Sequence, residues 1–110
     1  MAKYIISGNY SVDGVRGMIA NPSDREAAVK PLIAASGGKL LSYYVTLGKT
    51  DFQMVVEGDD IEGVMAALMV AGSSGSVSNL RTVQAFTAGE FLAVQKRAKG
   101  MAASYSAPNK

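Results

Sequence analysis

Eight side chains carry most of the chemistry this sequence can offer. Arg16 and Arg81 can clamp an anion, Asn9, Tyr10, Tyr43 and Tyr44 can hydrogen-bond a ligand, and Asp51 and Glu57 can act as carboxylates. The chain has no His and no Cys. That removes the usual general base near neutral pH, the thiolate nucleophile and the commonest metal ligands. A Ser-His-acid triad, a zinc-thiolate site and His-ligated iron are therefore excluded within one chain type. What is left is chemistry by guanidinium, amide, phenol and carboxylate groups, toward a carboxylate or aromatic ligand.

Arg16 lies between Gly14 and Gly17 on an expected helix, where small neighbours let another backbone come close. It reads either as an anion clamp or as a solvated surface residue. Arg81, flanked by Leu80 and Val83 on an expected strand, points to solvent, pairs with an acid such as Asp51 or Glu57, or meets a ligand. Asn9 and Tyr10 end the first strand, and Tyr43 and Tyr44 point to opposite faces of the second. Each could serve a pocket over the sheet or simply pack with a hydrogen-bonded tip. Asp51 closes a tight turn, where its carboxylate can bond to nearby backbone N–H groups. The cluster Asp59, Asp60 and Glu62 lacks the spacing of a calcium loop and is accounted for as a helix cap. No metal or cofactor is called for.

The elements that must hold these residues follow from periodicity and punctuation. Alternating or β-rich segments predict strands over 3–10, 39–47, 52–57 and 77–86. Val12, Val15, Met18 and Ile19 recur at helical spacing from Ser11 onward, and Pro22 ends that helix by Asn21. Three capping-box patterns then predict helix starts: Ser23 with Glu26, Asp59 with Glu62, and Thr87 with Glu90. Pro31 predicts a kink in the second helix, and Gly37-Gly38 its end. The last helix should turn Phe91, Val94 and Ala98 inward, finish in the basic group Lys96, Arg97 and Lys99, and stop at Gly100.

Strand, helix in two pieces, hairpin, helix, strand and helix is the order of an α+β, ferredoxin-like βαββαβ sandwich. Its four-stranded antiparallel sheet carries helices on one face, with an extra C-terminal helix. Residues 1–100 form that domain, and 101–110 read as a flexible tail.

Composition bounds the setting. The 110 residues are 48% hydrophobic and 18% charged, enough for one packed domain. The net charge is +2, and no basic stripe interleaved with aromatics points to nucleic acid. No apolar run approaches the roughly 20 residues of a membrane span, and no signal peptide opens the chain, so the expected address is cytoplasmic. Apolar residues exceed what one domain can bury. The strand from Lys39 to Leu47 is apolar on both faces, Ile5 and Val55 lie opposite Ile6 and Met54, and the helix from Ile61 to Ala71 is apolar all round. Those surfaces predict a homo-oligomer, a dimer or larger.

Several short motifs, in order, resemble one known family. They are Lys3-Tyr4, Gly8-Asn9-Tyr10, Gly14-Val15-Arg16-Gly17, Pro22-Ser23-Asp24-Arg25, Gly37-Gly38-Lys39, Ser42-Tyr43-Tyr44, Gly48-Lys49-Thr50-Asp51 and Leu80-Arg81-Thr82. Together, over residues 3 to about 97, they resemble the GYD-domain family. Thr50 stands where the family's turn has Tyr, and Pro31 is unusual for its helix. The resemblance implies a place in the dimeric α+β barrel group, in which two sheets pack face to face. That group includes cofactor-independent monooxygenases, isomerases and ligand binders, and the GYD family itself carries no assigned reaction. The resemblance thus leaves two readings: a module that acts through assembly or protein interaction, or a binder or enzyme for a small aromatic or carboxylate molecule.

Overall fold

A computed structural model describes residues 1–108; Asn109 and Lys110, the end of the expected tail, lie outside the described residues. The strands are β1 (Ala2–Tyr10), β2 (Lys39–Val45), β3 (Phe52–Gly58) and β4 (Val77–Ala85). The helices are α1 (Val12–Ala20), α2 (Arg25–Ala35), α3 (Ile61–Ser73) and α4 (Ala88–Met101), with a short 3₁₀ turn over Ala102–Ser104. The sheet order is β2-β3-β1-β4, and every neighbouring pair is antiparallel. This is the expected ferredoxin-like arrangement.

Strand alternation assigns the two faces. In β1 the buried residues are Tyr4, Ile6 and Gly8; in β3 they are Phe52, Met54, Val56 and Gly58. With Ile33 of α2 and Val64 of α3, the apolar members of this set form one core between sheet and helices. Leu40 and Tyr43 of β2, Leu68 and Leu80 pack around it. Gly63 lets α3 come close to the end of α2, since an added Cβ would collide with the Ser36 carbonyl oxygen.

Local chemistry sets the helix limits, in places one residue from where sequence patterns put them. α2 is capped by Asp24, whose carboxylate accepts from the Ala27 N–H at 3.1 Å, and not by Ser23. α3 is capped by Asp60, which accepts from Gly63 N–H at 3.0 Å, and not by Asp59. In both pairs two good caps stand side by side, and the second fits the register that sends Ile33 and Val64 into the core. Among the described residues, only α4 has the complete reciprocal box, Thr87 with Glu90. α2 continues through Pro31 as one helix. It ends at Gly37 (φ 83°), where the Gly37 N–H donates to Ala34 and the Gly38 N–H to Ile33. This is the left-handed glycine cap the sequence calls for.

α4 departs most from expectation. It runs through Gly100, which needs no left-handed backbone there, to Met101. Phe91, Val94 and Ala98 do not turn inward: every residue of α4 is exposed, Phe91 by 58% and Val94 by 52%. The helix makes no substantial packing contact with the sheet or the other helices. The described residues accordingly extend over 62 × 30 × 21 Å, with a radius of gyration of 18.2 Å. A compact chain of this length would have about 13 Å.

Candidate functional site

The polar residues singled out by sequence fall into separate places. Tyr10 and Tyr43 come together on the helix side of the sheet, their hydroxyls 2.6 Å apart. The Phe52 ring lies against both, 5.2 Å from the Tyr10 ring and 5.9 Å from the Tyr43 ring, stacked nearly flat on the latter. Burial, and then the Tyr10 hydroxyl, push the Tyr43 phenol above the usual tyrosine range, while Arg25 pulls it the other way. Burial and the hydroxyl contact thus favour the neutral form of the Tyr43 phenol, and the two hydroxyls hold each other as a hydrogen-bonded pair.

Tyr10 also lines a cleft of about 330 Å³ between α1 and the start of α2. Its walls include Asp13, Asn21, Ser23 and Arg25, and Gly17 leaves the mouth open. The elements holding this cleft are tied at Ser11. Its hydroxyl caps α1 by accepting from Gly14 N–H at 3.0 Å and donates to the Gly75 carbonyl. Its N–H reaches the Ser76 carbonyl at 2.9 Å. Gly14 is required there, because any Cβ would strike the Ser76 carbonyl oxygen. Arg25 donates to Ser23 at 3.1 Å and is the cation of the cleft. Arg16, the sequence candidate for that role, is exposed on α1 away from the cleft walls. Periodicity could not separate the two arginines, since Arg25 reads as the first residue of a helix and nothing more.

Asn9 and Arg81 meet elsewhere, around a depression of about 210 Å³ with Lys49, Thr50 and Asn79. Asn9 donates to the Lys49 carbonyl at 3.1 Å. The β1–β4 register slips between Ser7 and Asn9, and Asn79 takes a left-handed conformation (φ 53°) there. Asn tolerates that backbone because its short polar side chain costs little in it. Neither acid expected to pair with Arg81 does so. Asp51 accepts from the Tyr10 N–H at 2.9 Å, and Glu57 pairs with Lys3 at 3.4 Å. Asp60 serves as the cap of α3, and among the described residues no group of three acidic side chains is placed to hold a metal ion.

The side of the sheet away from the helices carries a further set of candidate residues. Register places Ser42, Val55, Ile5 and Val83 in one row across all four strands. A polar row runs on each side of it: Tyr44, Gln53, Ser7 and Arg81 on one, Lys39, Glu57, Lys3 and Ala85 on the other. Val83 and Tyr44 are well exposed, as are Val45 and Leu47 near the hairpin. On the opposite layer, Met65, Met69 and Val70 of α3 face outward. Among the described residues no helix is long and apolar enough to cross a membrane, so these surfaces do not belong to a spanning helix.

A model of the GYD domain matches residues 4–94. A Thermus thermophilus protein named glutamine synthetase and cystathionine beta-lyase binding protein is 28% identical over 93 residues, which make up 84% of this chain and 97% of that one. A crystal structure of a protein from Thermus thermophilus shares the fold with a TM-score of 0.52. It is 19% identical, covering 80% of this chain and 96% of the other.

Proposed function

The chain belongs to the GYD domain family, and we propose that it is a cytoplasmic, homo-oligomeric protein-binding module whose open sheet side and outward helix faces are its contact surfaces. The observation that carries this reading is the row Ser42, Val55, Ile5 and Val83, apolar at three of its four positions and framed by polar rows, with Val83 exposed and Ile5 and Val55 half-buried. An uncovered apolar centre with a polar rim is the anatomy of an interface. Packing two open sides together, as the family resemblance implies, would cover that row twice over. The name of the Thermus relative, a protein that binds two enzymes, supports a further protein contact outside the self-assembly.

The test is direct binding of the purified full chain to purified glutamine synthetase from the same source, read by calorimetry. The reading expects saturable binding, weakened at least tenfold by Met65→Glu with Met69→Glu on α3 or by Val83→Lys on the sheet. No binding by the native chain, together with a single-chain mass in solution, would contradict it.

A second reading is favoured by the cleft beside Tyr10, whose volume reaches the lower end of the range of small-molecule sites. Arg25, Asn21 and Ser23 would take a carboxylate there, with Tyr10 against an aromatic or apolar body. Thermal shift against aromatic and aliphatic carboxylates tests it. A stabilising hit should vanish in Arg25→Ala and survive in Arg16→Ala; a hit that survives both, or no hit, contradicts it.

A further inference from the structure

We propose that the cleft beside Tyr10 receives the zwitterionic head of a free α-amino acid, with Arg25 taking its carboxylate and Asp13 its ammonium. The inference rests on the second reading above, which gives the cleft a carboxylate, and it names the ligand class.

The cleft holds one charge of each sign, and neither is spent on the protein. Arg25 is half-buried, and its guanidinium donates to the Ser23 hydroxyl at 3.1 Å, a neutral partner. Among the described residues the ion pair is Lys3 with Glu57, so no carboxylate neutralises Arg25 and no cation neutralises Asp13. A half-buried guanidinium without an anion is costly, because a charge withdrawn from water needs an opposite charge in return. The same guanidinium pulls the Tyr43 phenol toward its ionised form, which sets it near the Tyr10 and Tyr43 hydroxyls. Asp13, in the first turn of α1, lines the same cleft. The helix dipole accounts for an acid in that turn, but not for one on the cleft wall.

The pairing of signs selects the ligand. A plain carboxylate drawn in by Arg25 also meets Asp13, whose charge opposes it. An ammonium beside the carboxylate turns that opposition into a second contact. The rest of the wall decides where the two charges lie. Tyr10, Met18 and Val77 give it an apolar stretch that takes an uncharged side chain, so both charges belong at one end of the ligand. That is the layout of an α-amino acid with an aliphatic or aromatic side chain. The volume agrees, since about 330 Å³ is at the small end for ligand sites and suits a single amino acid. Gly17, with no atom within 4 Å of where a Cβ would stand, keeps the entrance clear.

The experiment titrates the ¹⁵N-labelled full chain by NMR with L-phenylalanine and L-leucine, and with 3-phenylpropionate and 4-methylpentanoate, which lack only the amine. Amide shifts in α1 and at Ser23 to Arg25 report occupancy. Each amino acid is expected to bind roughly fivefold tighter than its amine-free counterpart, the factor for an ion pair at a partly open site. Asp13→Asn should erase that preference and leave the amine-free acids bound at least as well. Glu26→Gln, which changes an exposed acid outside the cleft walls, should keep it. Arg25→Ala should abolish binding of all four compounds. Amine-free acids that bind as tightly as the amino acids overturn the zwitterion site and leave the carboxylate reading standing. A preference that survives Asp13→Asn overturns the zwitterion site as well. No shift with any of the four compounds, or binding that survives Arg25→Ala, overturns both.

Discussion

The two sides of the sheet use similar residues to opposite ends. On the helix side, Ile6 and Val56 are wholly buried and Val64 of α3 closes over them. On the open side, Ile5 and Val55 sit one residue along the same strands, with Val83 more than half exposed beside them. Composition does not distinguish Ile5 from Ile6; the layer that lies on top does. α4 repeats the contrast with α3. Val64 of α3 is buried in the core and Ala67 is buried as well, whereas no residue of α4 is buried at all. The helix side therefore holds the domain together, while Val83 on the open side and the whole of α4 stay exposed among the described residues.

That division can be broken or sharpened by substitution, beginning with the largest effect. Ile6→Ala should cost about 3 kcal/mol in chemical denaturation, from lost burial plus the cavity left behind. Ile5→Ala on the same strand should cost far less in a single-chain species and lower the oligomer mass instead. Equal losses would show that the open side stabilises the monomer and would collapse the distinction. Gly63→Ala should cost about 1–3 kcal/mol, since α3 must back away from the Ser36 carbonyl to make room.

A smaller effect belongs to the tyrosine pair. Tyr43→Phe removes the hydroxyl contact with Tyr10 and should cost about 1 kcal/mol. The Tyr43 phenol is raised in the folded chain, so unfolding releases it to ionise near its ordinary value of 10.0. The stability this contributes is complete below pH 10 and falls as the pH rises beyond it, and Tyr43→Phe should flatten that alkaline loss. The smallest effect is local to α4. Thr87→Ala removes the cap of α4 and should cost about 1 kcal/mol of helix stability, seen as faster amide exchange in α4 and none in β1. Hydrogen bonds from Thr87, backbone first, hold the Glu90 carboxyl below its usual range. The cap's contribution is therefore complete above the ordinary carboxylate range and is lost as the pH falls on through the lowered value of the folded chain. Glu90→Gln should remove that acid dependence.

Much of the fold was legible because local signals and burial agreed. Strand alternation gave the two faces, Gly37-Gly38 ended α2 in the way its sequence implied, and the hairpin joined β2 to β3. Cap positions slipped where two capping residues adjoin, as in Ser23-Asp24 and Asp59-Asp60, because pattern cannot choose between neighbours and core register can. Gly100 failed as a stop because glycine ends a helix only where the backbone must turn left-handed, and nothing there forces that turn. The inward set of α4 failed for a deeper reason. An amphipathic stripe tells that a helix needs a surface, not which molecule supplies it. The candidate residues were mixed in the same way. Tyr10 and Tyr43 do meet, but Arg25, not Arg16, stands at the cleft, and Asn9 with Arg81 forms a separate place. Tyr44 lies in a polar row of the open side. Type and spacing singled out polar groups; only the packing of α1 against the start of β4 decided which of them converge.

The account turns on whether the uncovered surfaces are covered by copies of the chain. Light scattering coupled to gel filtration, on the full chain across the micromolar range, tests this most directly. A mass of two or more chains that persists on dilution is the predicted result. A single-chain mass throughout would contradict it.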